Sequence, residues 1–153
     1  VTLDISAYGG LKEIPAPILD ENGDPDANKC FYEPTLIRRT EKHWPGSTKG
    51  LKEHQAYTWK TSFSFSAGSY TGYSYWQELL ADLRGDTTDF DELIHFTNCE
   101  GIIGPAAAKK LYDDFQRHDE RSFLCQESFF ISKYQDFMRA FKIASDNGAV
   151  EFC

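Results

Sequence analysis

Residues 57–84, YTWKTSFSFSAGSYTGYSYWQELLADLR, change hydrophobic period midway, and that change decides the fold class. Tyr57, Trp59, Phe63, Phe65 and Ala67 fall on one side of an extended chain, and Thr58, Lys60, Ser62, Ser64 and Ser66 on the other. A period of two predicts a half-buried strand over 57–67. Beyond Gly68 and Ser69, Tyr73, Trp76, Leu80 and Leu83 recur at helical spacing, which predicts a helix over 72–84 closed by Gly85. A strand running straight into a helix leaves helix N–H groups unpaired at the corner, where an anion or polar ligand can sit. The same corner also serves as plain packing for Tyr70, Tyr73 and Trp76.

Downstream, Asn98-Cys99-Glu100-Gly101-Ile102-Ile103-Gly104-Pro105 reads as a buried glycine-rich loop feeding a helix over 105–118, with proline at its first position. Ala108, Leu111, Tyr112 and Phe115 supply that helix with an apolar face. In a final helix over 122–146, Phe130, Tyr134, Phe137, Phe141 and Ala144 form a continuous stripe suited to a core. Asn147-Gly148 stops it, and Ala149–Phe152 returns as a short strand. Phe90–Phe96 is a short segment, strand or helical turn. Upstream, Thr2–Ser6 alternate weakly as a short strand or arm, and Pro34 makes residues 30–40 an edge or broken strand.

These elements predict one α+β domain over 1–153, a small, mainly antiparallel sheet packed against about three helices. The chain has 153 residues, 41% apolar and 15% aromatic, enough to build a core. Its net charge of −8 argues against direct nucleic-acid binding, which needs a cationic face for phosphates. There is no run of about 18 apolar residues and no charged-then-apolar leader, so a soluble, cytoplasmic protein without a membrane span is expected. Four cysteines, Cys30, Cys99, Cys125 and Cys153, lack C-x-x-C spacing; reduced thiols are expected, with disulfides as the alternative in an oxidising compartment.

Several stretches invite chemical readings. Asp20–Asp26 resembles a calcium loop in its carboxylates, but Pro25 and Phe31 stand where glycine and a terminal carboxylate are required, so an exposed turn is expected and no metal is assigned. The loop KHWPGSTKG, residues 42–50, gathers an imidazole, an indole, hydroxyls and a cation, although its two glycines lie too close together for a phosphate loop. Cys99, near a helix start, is weighed as a nucleophile with His43, His54 or His95 as base against a structural thiol, the preferred reading. The candidate ligand site is Trp44, Ser66, Ser69, Tyr70, Tyr73 and Glu100, expected to converge with stacking faces, hydroxyls and one carboxylate. No catalytic residue and no cofactor is assigned.

The segments FSAGSYTGY (65–73) followed by Trp76, NCEGIIGP (98–105) and NGAVEF (147–152) together resemble an uncharacterised family of small bacterial and bacteriophage proteins, over residues 50–152. The resemblance implies a bacterial or phage setting and carries no activity. The expected function is a binding or antagonist protein without catalytic activity, acting on a protein partner or a small polar ligand. The alternative is a small enzyme on a nucleotide-like substrate. In that reading the order His43, Tyr70, Glu100 distantly resembles the His-Tyr-Glu order of NAD-dependent ADP-ribosyl transferases.

Overall fold

The computed structural model describes residues 1–153. A four-stranded antiparallel sheet has the order β4-β1-β6-β5, from β4 (Thr61–Ser69), β1 (Thr2–Gly9), β6 (Ala149–Phe152) and β5 (Gly101–Ile103). The weak alternation at the N-terminus becomes the longest-paired central strand, flanked on both sides. Leu3, Ile5 and Ala7 on β1 are completely buried, as are Val150 and Phe152 on β6. They face α2 (Tyr70–Arg84), α4 (Pro105–Arg117) and α6 (Ser128–Ala144), which cover one side of the sheet. The α+β architecture is therefore as the hydrophobic periods predict.

The other face is covered only in part. Ile102 and Ala149 point away from the main core into a smaller cluster with Leu11, Phe31, Ile37 and Tyr57. That cluster belongs to α1 (Pro34–His43) and to a two-stranded ribbon of β2 (Lys12–Ile14) and β3 (Ala56–Thr58). Alternation along β6 sorts its side chains: Val150 and Phe152 enter the helix-side core, while Ala149 and Glu151 meet the layer under α1.

The strand expected over 57–67 is two strands in two sheets. The chain bends at Lys60, whose N–H donates to Gly9 O, so Tyr57 and Trp59 join the small cluster and Phe63, Phe65 and Ala67 the large one. The corner into α2 follows the predicted switch: Ser69 is the N-cap, and its hydroxyl accepts from the Gly72 N–H at 3.0 Å. Of the edge or broken strand expected over 30–40, Phe31 bridges Tyr57 and the chain from Pro34 onward is helix instead. Pro34 sits at its first turn, where a missing N–H costs nothing, so the residue read as a strand breaker is a helix starter. The glycine-rich loop before α4 is strand β5, paired with β6. The helix expected over 122–146 is shorter, α6 beginning at Ser128 after a turn and the short helix α5 (Asp119–Ser122), and Phe90–Phe96 contains the short helix α3 (Asp91–Ile94). Asp20–Asp26 is an exposed turn in which Asp20 Oδ1 accepts from the N–H groups of Asn22 and Asp24. No helix is long and apolar enough to cross a membrane.

Phe137 on α6 is the hub of the main core, in ring contact with Phe65, Tyr73, Trp76, Phe141 and Phe152. Phe63, on the edge strand, is only half-buried and carries the Arg139 guanidinium over its ring at 4.0 Å. Phe137→Ala should cost about 3–5 kcal/mol, as full aromatic truncations do. Phe63→Ala should cost less, about 1–2 kcal/mol, since its ring is only partly buried at the sheet edge. Chemical denaturation of the two variants measures the contrast, and equal losses would mean that the sheet edge is buried more deeply than described.

Candidate functional site

The largest cleft, about 540 Å3, lies between the loop after α1 and a wall made by α3 and the first turns of α4. Its size is within the roughly 300–1,000 Å3 of small-ligand pockets. The loop side is tightly tied. The Trp44 N–H closes α1 on Thr40 O at 2.8 Å, and the Ser47 hydroxyl donates to Trp44 O at 2.6 Å. Glu41 accepts from the Gly46 N–H, the Thr48 N–H and the Thr48 hydroxyl. Burial raises its carboxyl pKa, but these bonds outweigh that and hold it below the usual range. The loop is then docked on α4: the Gly104 N–H donates to Ser47 O at 2.7 Å, and Gly50, at φ +100°, leaves room for the Pro105 ring that any Cβ would strike at 2.4 Å.

The opposite wall is fixed from behind. Gln77 on α2 is buried, and its amide donates to the carbonyls of Leu93, Ile94 and Phe96. Phe90 turns into α3 in a left-handed conformation, with its N–H on the buried Asp114 carboxylate at 2.9 Å. Asp114 also holds Lys110 at 2.7 Å and Arg117 at 3.0 Å. Arg84 pairs with Asp91, and this bond leads the influences that hold the Asp91 carboxyl below its usual range. The two walls meet at Trp44, whose indole N–H donates to His95 O at 2.7 Å. With that polar edge satisfied and Phe96 packed at 5.0 Å, the indole plane is oriented beside His43 and His95.

Charge in the cleft is unevenly spent. Glu92 gives one oxygen, Oε1, to Lys110 at 2.8 Å, and Asp91 gives Oδ1 to Arg84, with His95 Nε2 3.5 Å from the same oxygen. The second oxygen of each carboxylate has no hydrogen-bond partner in the protein. Lys110, the ammonium of the lining, is already held by Glu92 and Asp114. The cleft therefore offers two uncommitted carboxylate oxygens beside an aromatic face and no free cation.

Of the six residues proposed from sequence, Trp44 alone lines this cleft. Ser66 and Ser69 are exposed at the corner, and each hydroxyl accepts a backbone N–H, from Gly68 and Gly72. Tyr70 is half-buried against the main core. Tyr73 is 1% exposed, stacked on Trp76, and its hydroxyl is buried beside Gln77 without a hydrogen bond of ordinary geometry. Glu100 lies on the surface, paired with Arg39 at 2.5 Å, in a separate depression of about 290 Å3 that also holds Glu33 and Glu151. The six do not share a cavity, because the serines cap the corner and Tyr73 faces inward, whereas β5 carries Glu100 to the far edge of the sheet. His43, Tyr70 and Glu100 are likewise not gathered in one cavity. Cys99 is exposed on the turn before β5, its thiol 3.3 Å from the Thr97 hydroxyl. Of the wall residues, His95 enters the sequence reading only as a base for Cys99, and Asp91, Glu92 and Lys110 escape it; their one signal is the i, i+1 and i+4 spacing of Asp91, Glu92 and His95 in a segment too short to show a period.

No family model matches the chain, and neither the curated proteins nor the solved structures contain a significant match to it.

The depression beside Glu100 gives a pH-dependent element. Burial first, then the neighbouring charges of Glu33 and Glu100, pushes the Glu151 carboxyl up to about 7 from 4.5. Because the folded protein then holds a proton that the unfolded chain releases, this contribution is fully present below 4.5 and is lost as pH rises through about 7. Glu151→Gln should therefore unfold at a higher temperature than the parent at about pH 8, with the difference shrinking toward about pH 5. Thermal unfolding of both proteins across that range measures it, and a difference independent of pH would remove the buried carboxyl from the account.

Proposed function

We infer that the chain is a non-catalytic binding protein that takes a planar cationic group, a guanidinium or an aromatic amidine, in the Trp44 cleft. The observation that carries this reading is the pair of uncommitted carboxylate oxygens, on Asp91 and Glu92, beside an indole whose plane is fixed by its bond to His95 O. A flat cation satisfies both demands at once: its face stacks on the indole, and its N–H groups point at carboxylates. Arginine side chains of a protein partner and free small cations share this chemistry. The overall charge of −8 draws such groups toward the protein before contact.

Binding is favoured over catalysis because the nucleophile of the cleft is spent: the Ser47 hydroxyl donates to Trp44 O rather than to an imidazole. A bacterial or phage origin and a cytoplasmic location complete the proposal, and both rest on the resemblance of the corner and loop motifs.

Titration with benzamidine and with agmatine, followed by tryptophan fluorescence and calorimetry, tests the reading. Saturable binding is expected, weakened roughly tenfold or more by Trp44→Ala, since a desolvated cation–π contact is worth about 2 kcal/mol, and weakened also by Glu92→Gln. Absence of binding, or binding indifferent to both substitutions, overturns it. Consumption of a nucleotide-like substrate that depends on His43 or His95 would favour the enzyme instead.

A further inference from the structure

A second surface lies between α2 and the turn joining α5 to α6. Of seven large apolar residues exposed on the chain, four are here: Leu124 at 79%, Phe123 at 59%, Tyr75 at 43% and Phe129 at 37%. They do not belong to a frayed end. The Leu124 N–H donates to Arg121 O and the Cys125 N–H to Ser122 O, so the turn is hydrogen-bonded while its side chains face water. Leu79, Leu83, Leu124 and Cys125 wall a groove of about 280 Å3 whose floor is the buried Phe130. It leads to the stacked rings of Tyr75 and Phe129, with centroids 5.9 Å apart. A continuous apolar strip held open by ordered backbone is the signature of an interaction surface.

The rim decides what covers it. Asp82 stands in the groove wall, Glu127 accepts from the Tyr75 hydroxyl at 3.0 Å, and the charge of Glu78 is felt at the same phenol. Arg121 is the cation of the wall and lies 3.3 Å from His118 Nδ1; Lys133, one turn beyond Phe129, is directed at Ser66 O. Three carboxylates thus border an apolar strip against one guanidinium. A second copy of the chain seated here symmetrically would place these carboxylates against themselves. An anionic membrane surface would meet the same repulsion.

We propose that this groove docks an amphipathic helical segment of a partner protein, with a leucine-type ridge and basic flanks. The ridge fills the strip from Leu83 and Leu124 to the Tyr75–Phe129 stack, at the i, i+3, i+4, i+7 spacing of helix-in-groove recognition, and lysines or arginines on the flanks meet Glu78, Asp82 and Glu127. This surface shares no lining residue with the Trp44 cleft, so the two proposals stand or fall separately.

The test uses the full chain and three synthetic probes: a helical peptide with a leucine ridge flanked by lysines, the same ridge flanked by glutamates, and vesicles of anionic phospholipid. The lysine-flanked peptide should bind at least roughly tenfold more tightly than its glutamate counterpart, and the gap should narrow with salt. Charge reversal by Glu78→Lys, Asp82→Lys and Glu127→Lys should invert the preference, Leu124→Ser should weaken both peptides, and Trp44→Ala should leave both unchanged. These rim and turn side chains are exposed or half-buried, and circular dichroism checks that the variants remain folded. Equal binding of the two peptides, binding of neither, vesicle binding lost in Leu124→Ser, or self-association lost in the same variant would each overturn the proposal.

Discussion

The rest of the structure depends on the packing of one ring, Phe137. It touches an aromatic from the edge strand, two from α2, one from its own helix and one from the inner strand β6. Such contacts combine large apolar burial with preferred ring geometry, so they fix orientation as well as supply energy. Once α6 and α2 are locked to one face of the sheet, the opposite face has Ala149 and Ile102 to offer, and α1 packs there. The end of α1 is where Trp44 emerges. There the indole turns back onto the edge of the main core, against Phe96, so the aromatic core also positions this partly open ring.

Much of the fold was legible because it was written as period. The α6 stripe from Phe130 to Ala144 is fully buried as spaced, and Ser69 and Gly85 bound α2. What period missed was set by pairing or by short range. Thr2–Ser6 alternates too weakly to announce the central strand, and Pro34 has two meanings that only its neighbours resolve. The bend at Lys60 divides one alternating run between two sheets without interrupting the alternation.

The site was less legible for a related reason. Residue types suited to ligands, glycine, serine and tyrosine, are also those a strand-to-helix corner needs for itself. At 66–73 the hydroxyls of Ser66 and Ser69 are spent on backbone N–H groups, and Tyr73 is core. Residues 43–47 of the loop singled out over 42–50 line the cleft, but their neighbours at 91, 92, 95 and 110 come together only through the Gln77 and Asp114 supports, whose hydrogen bonds span distant segments. Electrostatics follows the same division: Asp114 is enclosed by cations and an N–H, whereas Asp91 and Glu92 each keep an oxygen with no partner in the chain.

The location of a bound cation is the most direct check on this division. Amide and indole NMR shifts of the labelled protein, recorded during titration with agmatine, should change first at the Trp44 indole N–H and at the backbone of 43–47 and 91–95. Shifts centred instead on Arg39 and Glu100, or on the 66–72 corner, would contradict the account and return the ligand site to the stretches that carry its most conspicuous motifs.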